Sequence, residues 1–214
     1  MKMNPFILAL LLLSFAGVLL AYPGLPSEIP THWDMRGNIN DYSPKWAILL
    51  LAALPVGIYL MMVFLPRIDP KKKSYDLHKR AYEIAKVFIT LIMSVLVWIS
   101  ILVSKGVDLD VGLIVSLMVG VLFITLGNYM GQIRHNYFFG IRTPWTLANE
   151  TVWKRTHRVG GYCFMGMGIF MIVANMLRDH MPSWIMIPAI LFGAGIPIVY
   201  SYFAYKKIMG NEDN

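Results

Sequence analysis

Residues 46–66 read WAILLLAALPVGIYLMMVFLP, a run with no charged side chain. About 20 apolar residues at 1.5 Å per residue make a helix that crosses about 30 Å of hydrocarbon. Working outward, the same pattern recurs at 5–22, 84–104, 111–130, 159–177 and 183–204. None of these stretches has an ionisable residue in its middle; Lys86 stands near a span end, where a long side chain snorkels to the interface. Backbone in lipid must satisfy its own hydrogen bonds, so the spans are helices. Barrel strands would alternate polar and apolar residues, and these do not.

Composition agrees. The chain has 214 residues, 57% hydrophobic and 14% charged, against about a quarter charged in soluble domains. This excludes a disordered chain, a disulfide scaffold and an ordinary soluble enzyme. Cys163, the single cysteine, permits no intramolecular disulfide and no CxxC metal knuckle, and is read as a packing residue. The expected fold class is all-α: a polytopic membrane protein with six transmembrane helices. Residues 1–21 resemble a signal peptide, but the apolar run is long and Leu19 occupies a position where cleavage sites carry a small residue. The first span is therefore expected to stay as a helix.

Orientation follows from the cations. With a cytoplasmic N-terminus, the inside receives 15 of the 19 Lys and Arg residues and the outside 4, while the acids divide 6 and 6. Such a bias over short loops is the positive-inside signal, so both termini are expected in the cytoplasm of a cell-membrane protein. The net charge of +7 is thereby explained without direct nucleic-acid binding. The Lys71–Lys73 run is juxtamembrane and suits anionic lipid headgroups. The expected organisation is an N-terminal two-helix unit (1–66) with an outer Pro-rich loop (23–45), a basic inner connection (67–83) and a four-helix unit (84–214) with inner loop 131–158.

Smaller signals refine this. Pro55, Pro188 and Pro197 lie inside spans and remove helical hydrogen bonds. Gly127 and Gly131 are spaced for close helix approach. Trp33, Trp46, Trp145, Trp153 and Trp184, near span ends, suit the interfacial belt. Residues 210–214 read as a frayed tail.

Three connections are long enough to carry function: the outer one at 23–45 and the inner ones at 67–83 and 131–158. Inner loop 131–158 mixes Tyr137, Phe138, Phe139, Trp145 and Trp153 with five cations, which suggests a segment lying along the membrane or folded onto the bundle. Gly140 offers a tight turn, and Pro144 holds Thr143 extended. A helix is expected from about Thr146 as N-cap, running into the fifth span, with Glu150, Trp153 and His157 on one face and a Glu150–Lys154 pair. Glu150 with His157 is too sparse a set for zinc, and no cofactor is expected. Arg142 is read as a cation–π or headgroup contact, or as a recognition residue. In outer loop 23–45, four prolines argue for a stiff segment poor in helix. Residues 34–40 have turn chemistry, with Gly37 at a positive-φ position. This loop is read as a cap over the helices or as a peptide-recognition surface.

The run Gly127-Asn128, Asn136, Gly140-Ile141-Arg142-Thr143-Pro144-Trp145-Thr146-Leu147 and Glu150-Thr151-Val152-Trp153 resembles the signature of the SdpI family of immunity proteins. The outer run from Leu25 through Pro26, Glu28, Pro30, His32 and Trp33, with Gly37, resembles the start of an N-terminal domain found in that family. The resemblance implies a multipass protein that protects a cell from a secreted antimicrobial peptide toxin. It also implies a possible second role: holding a cytoplasmic ArsR-type autorepressor at the membrane. On that basis Asn128, Asn136, Gly140, Arg142, Thr143, Pro144, Trp145, Thr146, Glu150, Trp153 and His157 are the candidate signalling surface. Pro26, Glu28, Pro30, His32, Trp33 and Gly37 are the candidates for meeting the toxin.

Two other classes were weighed from the residues. A transporter or efflux protein for a peptide or lipid-like substrate fits the spans, but their interiors offer only neutral polar groups such as Asn128 and Asn175, whereas coupled transport favours ionisable ones. An intramembrane enzyme has no support from GxSxG, HExxH or paired intramembrane aspartates, and no enzymatic activity is expected.

Overall fold

The computed structural model describes residues 3–34 and 36–210. Lys2, which entered the charge argument, and the tail 211–214 lie outside the described residues. Six helices are long and apolar enough to cross a membrane: α1 (Pro5–Ala21), α2 (Ala47–Ile68), α4 (Lys79–Ser104), α5 (Val111–Met130), α7 (Glu150–Met176) and α8 (Met186–Met209). Two short helices, α3 (Ser74–Leu77) and α6 (Pro144–Ala148), lie in the connections. Six crossings put the start of α1 and the end of α8 on one face, the terminal face; the 23–45 connection lies on the opposite one.

Caps written in the sequence start three spans. Asn4 accepts from the Phe6 and Ile7 amides ahead of Pro5, Asp110 accepts from Leu113 N, and Asn149 accepts from Thr151 and Val152 N. Each side chain satisfies amides that have no partner inside the helix.

The bundle packs through small residues. A Cβ on Gly120 would lie 2.9 Å from Gly168 O, and one on Gly127 2.6 Å from Gly161 O. Two heptad-spaced glycine pairs thus bring the α5 and α7 backbones together. The sequence had paired Gly127 with Gly131, but Gly131 has nothing near its Cβ position. α8 packs on α7, α2 on α1 and α4, and α4 joins the two groups by also meeting α5.

Other expectations are corrected. Lys86 does not snorkel. It is fully buried, 2.7 Å from Glu83 in a charge contact without hydrogen-bond geometry, with its ammonium 5.3 Å from the Tyr59 ring. A carboxylate one turn earlier and an aromatic face replace the headgroups. Trp153 is fully buried, so it is not a belt residue. Pro188 falls in the first turn of α8, where no intrahelical bond is forfeited.

The 23–45 connection is more ordered than a stiff loop. β1 (Glu28–Trp33) and β2 (Ile39–Pro44) form an antiparallel hairpin, pairing Glu28 with Pro44 and Trp33 with Ile39, irregular between Pro30 and Trp33. Ile29 is fully buried against Val18, Ile48 and Val97, and the Ser100 hydroxyl of α4 donates to Pro30 O. The turn is closed by Asp34, whose carboxylate accepts from Arg36 N, Asn38 N and Asn38 Nδ2 at 2.8–3.0 Å. Those bonds hold the Asp34 carboxyl below its ordinary range, with the Asn38 amide the largest cause. Gly37 has φ +88°, as its turn position required, and a Cβ there would lie 2.4 Å from Gly112 N. The hairpin tip therefore sits directly on the start of α5.

Candidate functional site

On the terminal face, loop 131–143 folds back under the bundle around one side chain. Asn136 is fully buried. Its Oδ1 accepts from Phe138 N, Phe139 N and Tyr75 Oη at 2.7–3.1 Å, and its Nδ2 donates to Arg134 O and Phe139 O at 2.8–2.9 Å. Tyr75 also donates to Asp69 Oδ2 (3.0 Å), which accepts from Tyr137 N (2.9 Å) as well. Burial and the neighbouring Asp69 push the Tyr75 phenol well above its usual range, so it stays protonated and acts as a donor. One carboxamide and one carboxylate thus stitch loop 131–143 to the connection between α2 and α4.

Histidines line this seam. Lys71 Nζ lies 2.6 Å from His135 Nδ1. An ammonium only donates, so Nδ1 accepts and the ring proton sits on Nε2. His78 Nδ1 accepts from Arg134 N at 3.2 Å, which likewise puts its proton on Nε2. Both Nε2 atoms are buried with no partner among the described residues. Burial, helped by Arg134, lowers the His78 pKa to about 4; burial, helped by Lys71, lowers that of His135.

The sign for stability follows. A histidine held neutral by the fold binds fewer protons than it does unfolded, so acid favours unfolding. Stability of the seam is expected to be level above about pH 6.5, the ordinary histidine value, and to fall from there towards pH 4. Thermal unfolding in detergent between pH 7.5 and 5 checks this: the wild-type decline should shrink in His78→Gln, and an equal decline in both would contradict it.

The second half of the loop docks on α7 and α8. His157 Nε2 accepts from Ile141 N (3.0 Å), so Nδ1 donates to Trp153 O (2.9 Å). The two rings stack at 4.0 Å, and Trp153 Nε1 donates to Ile133 O (2.8 Å). Gly140, at φ +109°, passes over this stack; a Cβ there would lie 2.3 Å from His157 Nε2. The helix expected from Thr146 into the fifth span is broken at Asn149, which caps α7; Thr143 caps the short α6, in a reciprocal capping box with Thr146 and with Pro144 at the first helical position. The Thr143 hydroxyl reaches Ser201 of α8 (3.0 Å), and Trp145 packs edge-on against Tyr202. Arg142 donates from Nη1 to Tyr137 O (2.8 Å) at the exposed rim.

The structure thus brings Asn136, Gly140, Arg142, Thr143, Pro144, Trp145, Thr146, Trp153 and His157 into one unit. Glu150 is exposed and pairs with Lys154 at 3.0 Å, and Asn128 is exposed on α5. Sequence reasoning missed Asp69, Tyr75, His78, His135 and Ser201. Only Asp69 left a trace, as the one acid in the basic run from Arg67 to Lys73. Among the described residues no three His, Cys, Asp or Glu side chains gather as metal ligands.

On the opposite face, Pro26, Glu28 and His32 are exposed, Pro30 is buried and Trp33 is half-buried. His32 Nδ1 donates to Asn40 Oδ1 (2.6 Å), and Trp33 Nε1 is buried without a partner among the described residues. Trp33 borders a largely apolar cavity of about 420 Å³ beneath the hairpin.

The fold and the two faces define a polytopic helical membrane protein with a β-hairpin cap at one end and a hydrogen-bonded hub at the other. Residues 132–201, which carry most of the hub, match the SdpI/YfhL protein family, and residues 9–55, which contain the hairpin, match a domain of unknown function, DUF1648. Along 212 residues it is 29% identical to "Immunity protein SdpI" of Bacillus subtilis (strain 168), covering 99% of this chain and 100% of that protein. No solved structure matches the chain.

Proposed function

We propose that this chain is a membrane immunity protein of the cell membrane that protects its host against a secreted antimicrobial peptide toxin. The observation that carries the reading is similarity to an immunity protein along 99% of the chain, with both ends of the fold built from the segments matched to families. In this reading the protein acts by binding rather than by catalysis. Both termini and the hub face the cytoplasm, as the 15-to-4 division of cations favours, and the hairpin faces the toxin. Residues 1–66 form the outer-sensing unit, 67–83 the basic connection and 84–214 the unit carrying the hub. Glu28, His32 and Trp33 are the accessible members of the toxin-facing set, with Pro26; Pro30 and Gly37 shape it.

The finer part of the proposal is signalling. Toxin at the hairpin biases the bundle between two arrangements, which requires different toxin affinity for each. Loop 131–158 then presents Arg142 and Trp145 to an ArsR-type autorepressor. Asn136, Gly140, Thr143, Pro144, Thr146, Trp153 and His157 hold that loop's shape, while Asn128 and Glu150 offer exposed flanks.

Expression in a toxin-sensitive host tests both parts. Wild-type cells are expected to survive toxin, Trp33→Ala cells to lose protection, and Arg142→Ala cells to keep protection while losing toxin-dependent recruitment of the repressor to the membrane. Equal killing with and without the wild-type chain overturns the immunity reading. Survival without recruitment overturns only the signalling part.

A further inference from the structure

The cavity beneath the hairpin has a shape that neither the hairpin nor the hub explains. Its walls are Leu51 and Leu54 of α2, Leu96 of α4, Val115 of α5, Met171 of α7 and Ile190 of α8. Leu54 and Ile190 are 45% and 40% exposed. They lie within spans, so what they face outside the protein is hydrocarbon. α2 and α8 both line the cavity and form no packed interface with each other. The cavity therefore opens sideways into the bilayer, and its 420 Å³ is within the usual range for small-ligand sites.

At its outer end lies a small recess of about 30 Å³ that shares Ser116 and Met186 with the cavity and adds Arg36, Asn175 and Arg178. Its chemistry is different. Asn175 is 6% exposed, and its Oδ1 has no partner among the described residues. A buried acceptor without a donor is costly. Arg178 is already committed, with both its Nη atoms 2.7 Å from the Asp110 carboxylate. Arg36 has no ion pair among the described residues.

We propose that cavity and recess together bind one anionic phospholipid with a hydroxylated head, of the phosphatidylglycerol class, drawn from the leaflet on the hairpin side. One acyl chain enters between α2 and α8 and fills the apolar cavity. The phosphate meets the Arg36 guanidinium, and a head hydroxyl donates to Asn175 Oδ1. A choline head carries a cation and no donor, an ethanolamine head brings its donor on a cation set between Arg36 and Arg178, and an ionised fatty acid carries an anion and no donor, so none of them suits both groups. A recess of this size also holds one water, which would satisfy Asn175 but leave Arg36 without a counter-ion. The assignment is independent of the immunity reading.

The test uses the full chain in a neutral detergent, titrated with phosphatidylglycerol or phosphatidylcholine bearing the same brominated chains. Trp33 borders the cavity and serves as the reporter, its contribution isolated by subtracting the titration of Trp33→Phe. The expected result is saturable quenching, with phosphatidylglycerol reaching half-saturation at about a tenfold lower concentration, the size of the penalty for leaving one buried acceptor without a donor. Val115→Phe, which fills the cavity, should abolish saturation by both lipids, and Leu96→Phe serves if that variant misfolds. Leu91→Phe, on the exposed side of α4, should leave saturation intact. Asn175→Leu should equalise the two lipids without losing chain binding, whereas Arg36→Gln, which faces a phosphate in either lipid, should weaken both.

Equal binding of both lipids by the wild type means that the recess holds water and overturns the head assignment. Brominated stearate matching phosphatidylglycerol does the same. Quenching unchanged by both filling variants overturns the cavity assignment, as does saturation obtained only with an apolar peptide.

Discussion

Asn136→Ala is expected to lower the stability of the terminal end by about 3 kcal/mol, because several buried polar groups lose partners worth about 1 kcal/mol each. The carboxamide is fully used, with three bonds accepted and two donated. Its removal strands Phe138 N and Phe139 N as donors and Arg134 O and Phe139 O as acceptors. Tyr75 keeps Asp69, so the loss falls on the loop rather than on the α2–α4 connection. Tryptic cleavage after Arg134 and Arg142 should accelerate while the spans stay intact, and the unfolding temperature in detergent should drop. Asn136→Asp separates amide chemistry from mere volume. It keeps the acceptor but loses both donated bonds and brings a second carboxylate to the Tyr75 hydroxyl beside Asp69, so it should open the loop as well. A cleavage rate unchanged in both variants would mean that the loop is held elsewhere.

The six spans are legible in the sequence because hydropathy alone demands them, and α5 begins and ends where the apolar run does. The ends of the others are set by groups that hydropathy does not see. α7 starts at Glu150, nine residues before the expected span, because Asn149 caps it; α4 starts at Lys79, so residues 79–83, three of them charged, continue its helix. The hairpin was hidden by its prolines. Pro30 gives up a strand N–H, but its carbonyl is taken by Ser100, 70 residues away. Lys86 misleads for the same reason: its partners are a residue one turn back and an aromatic ring on another helix.

The hub is legible by half. Gly140, Pro144 and the aromatic–cationic mixture marked loop 131–158 as more than a connector, and the Glu150–Lys154 pair formed as its spacing required. The cap expected at Thr146 falls instead on Asn149, because the chain breaks there between α6, which Thr143 caps, and α7. What was invisible was the other wall. Tyr75 meets Asn136 across 61 positions, and Asp69 meets Tyr137 across 68, with no local periodicity to announce them. The same distance in sequence gives the hub its significance. The loop carrying Arg142 and Trp145 is fixed simultaneously by the α2–α4 connection, by α7 and by α8, so a shift among those elements reaches it.

Gly140→Ala should cost about 4 kcal/mol, combining backbone strain of about 1–3 kcal/mol with overpacking of similar size. At φ +109° an L side chain is strained, and its Cβ would stand 2.3 Å from His157 Nε2. That ring has nowhere to go: it stacks on Trp153 at 4.0 Å, and its Nδ1 is bonded to Trp153 O. Relief must come from the loop moving off α7, which also breaks the Ile141 N to His157 Nε2 bond. A double-mutant cycle with His157→Ala separates the causes. Without the imidazole, adding the methyl group at position 140 should cost only the backbone strain, so the two substitutions together should destabilise by less than their sum, by at least about 1 kcal/mol. Additive effects on the unfolding temperature in detergent would mean that Gly140 is required for its φ alone. Sub-additivity would mean that the Arg142 segment takes its shape from contact with a membrane-spanning helix, which is the physical link that a signal passing from hairpin to hub needs.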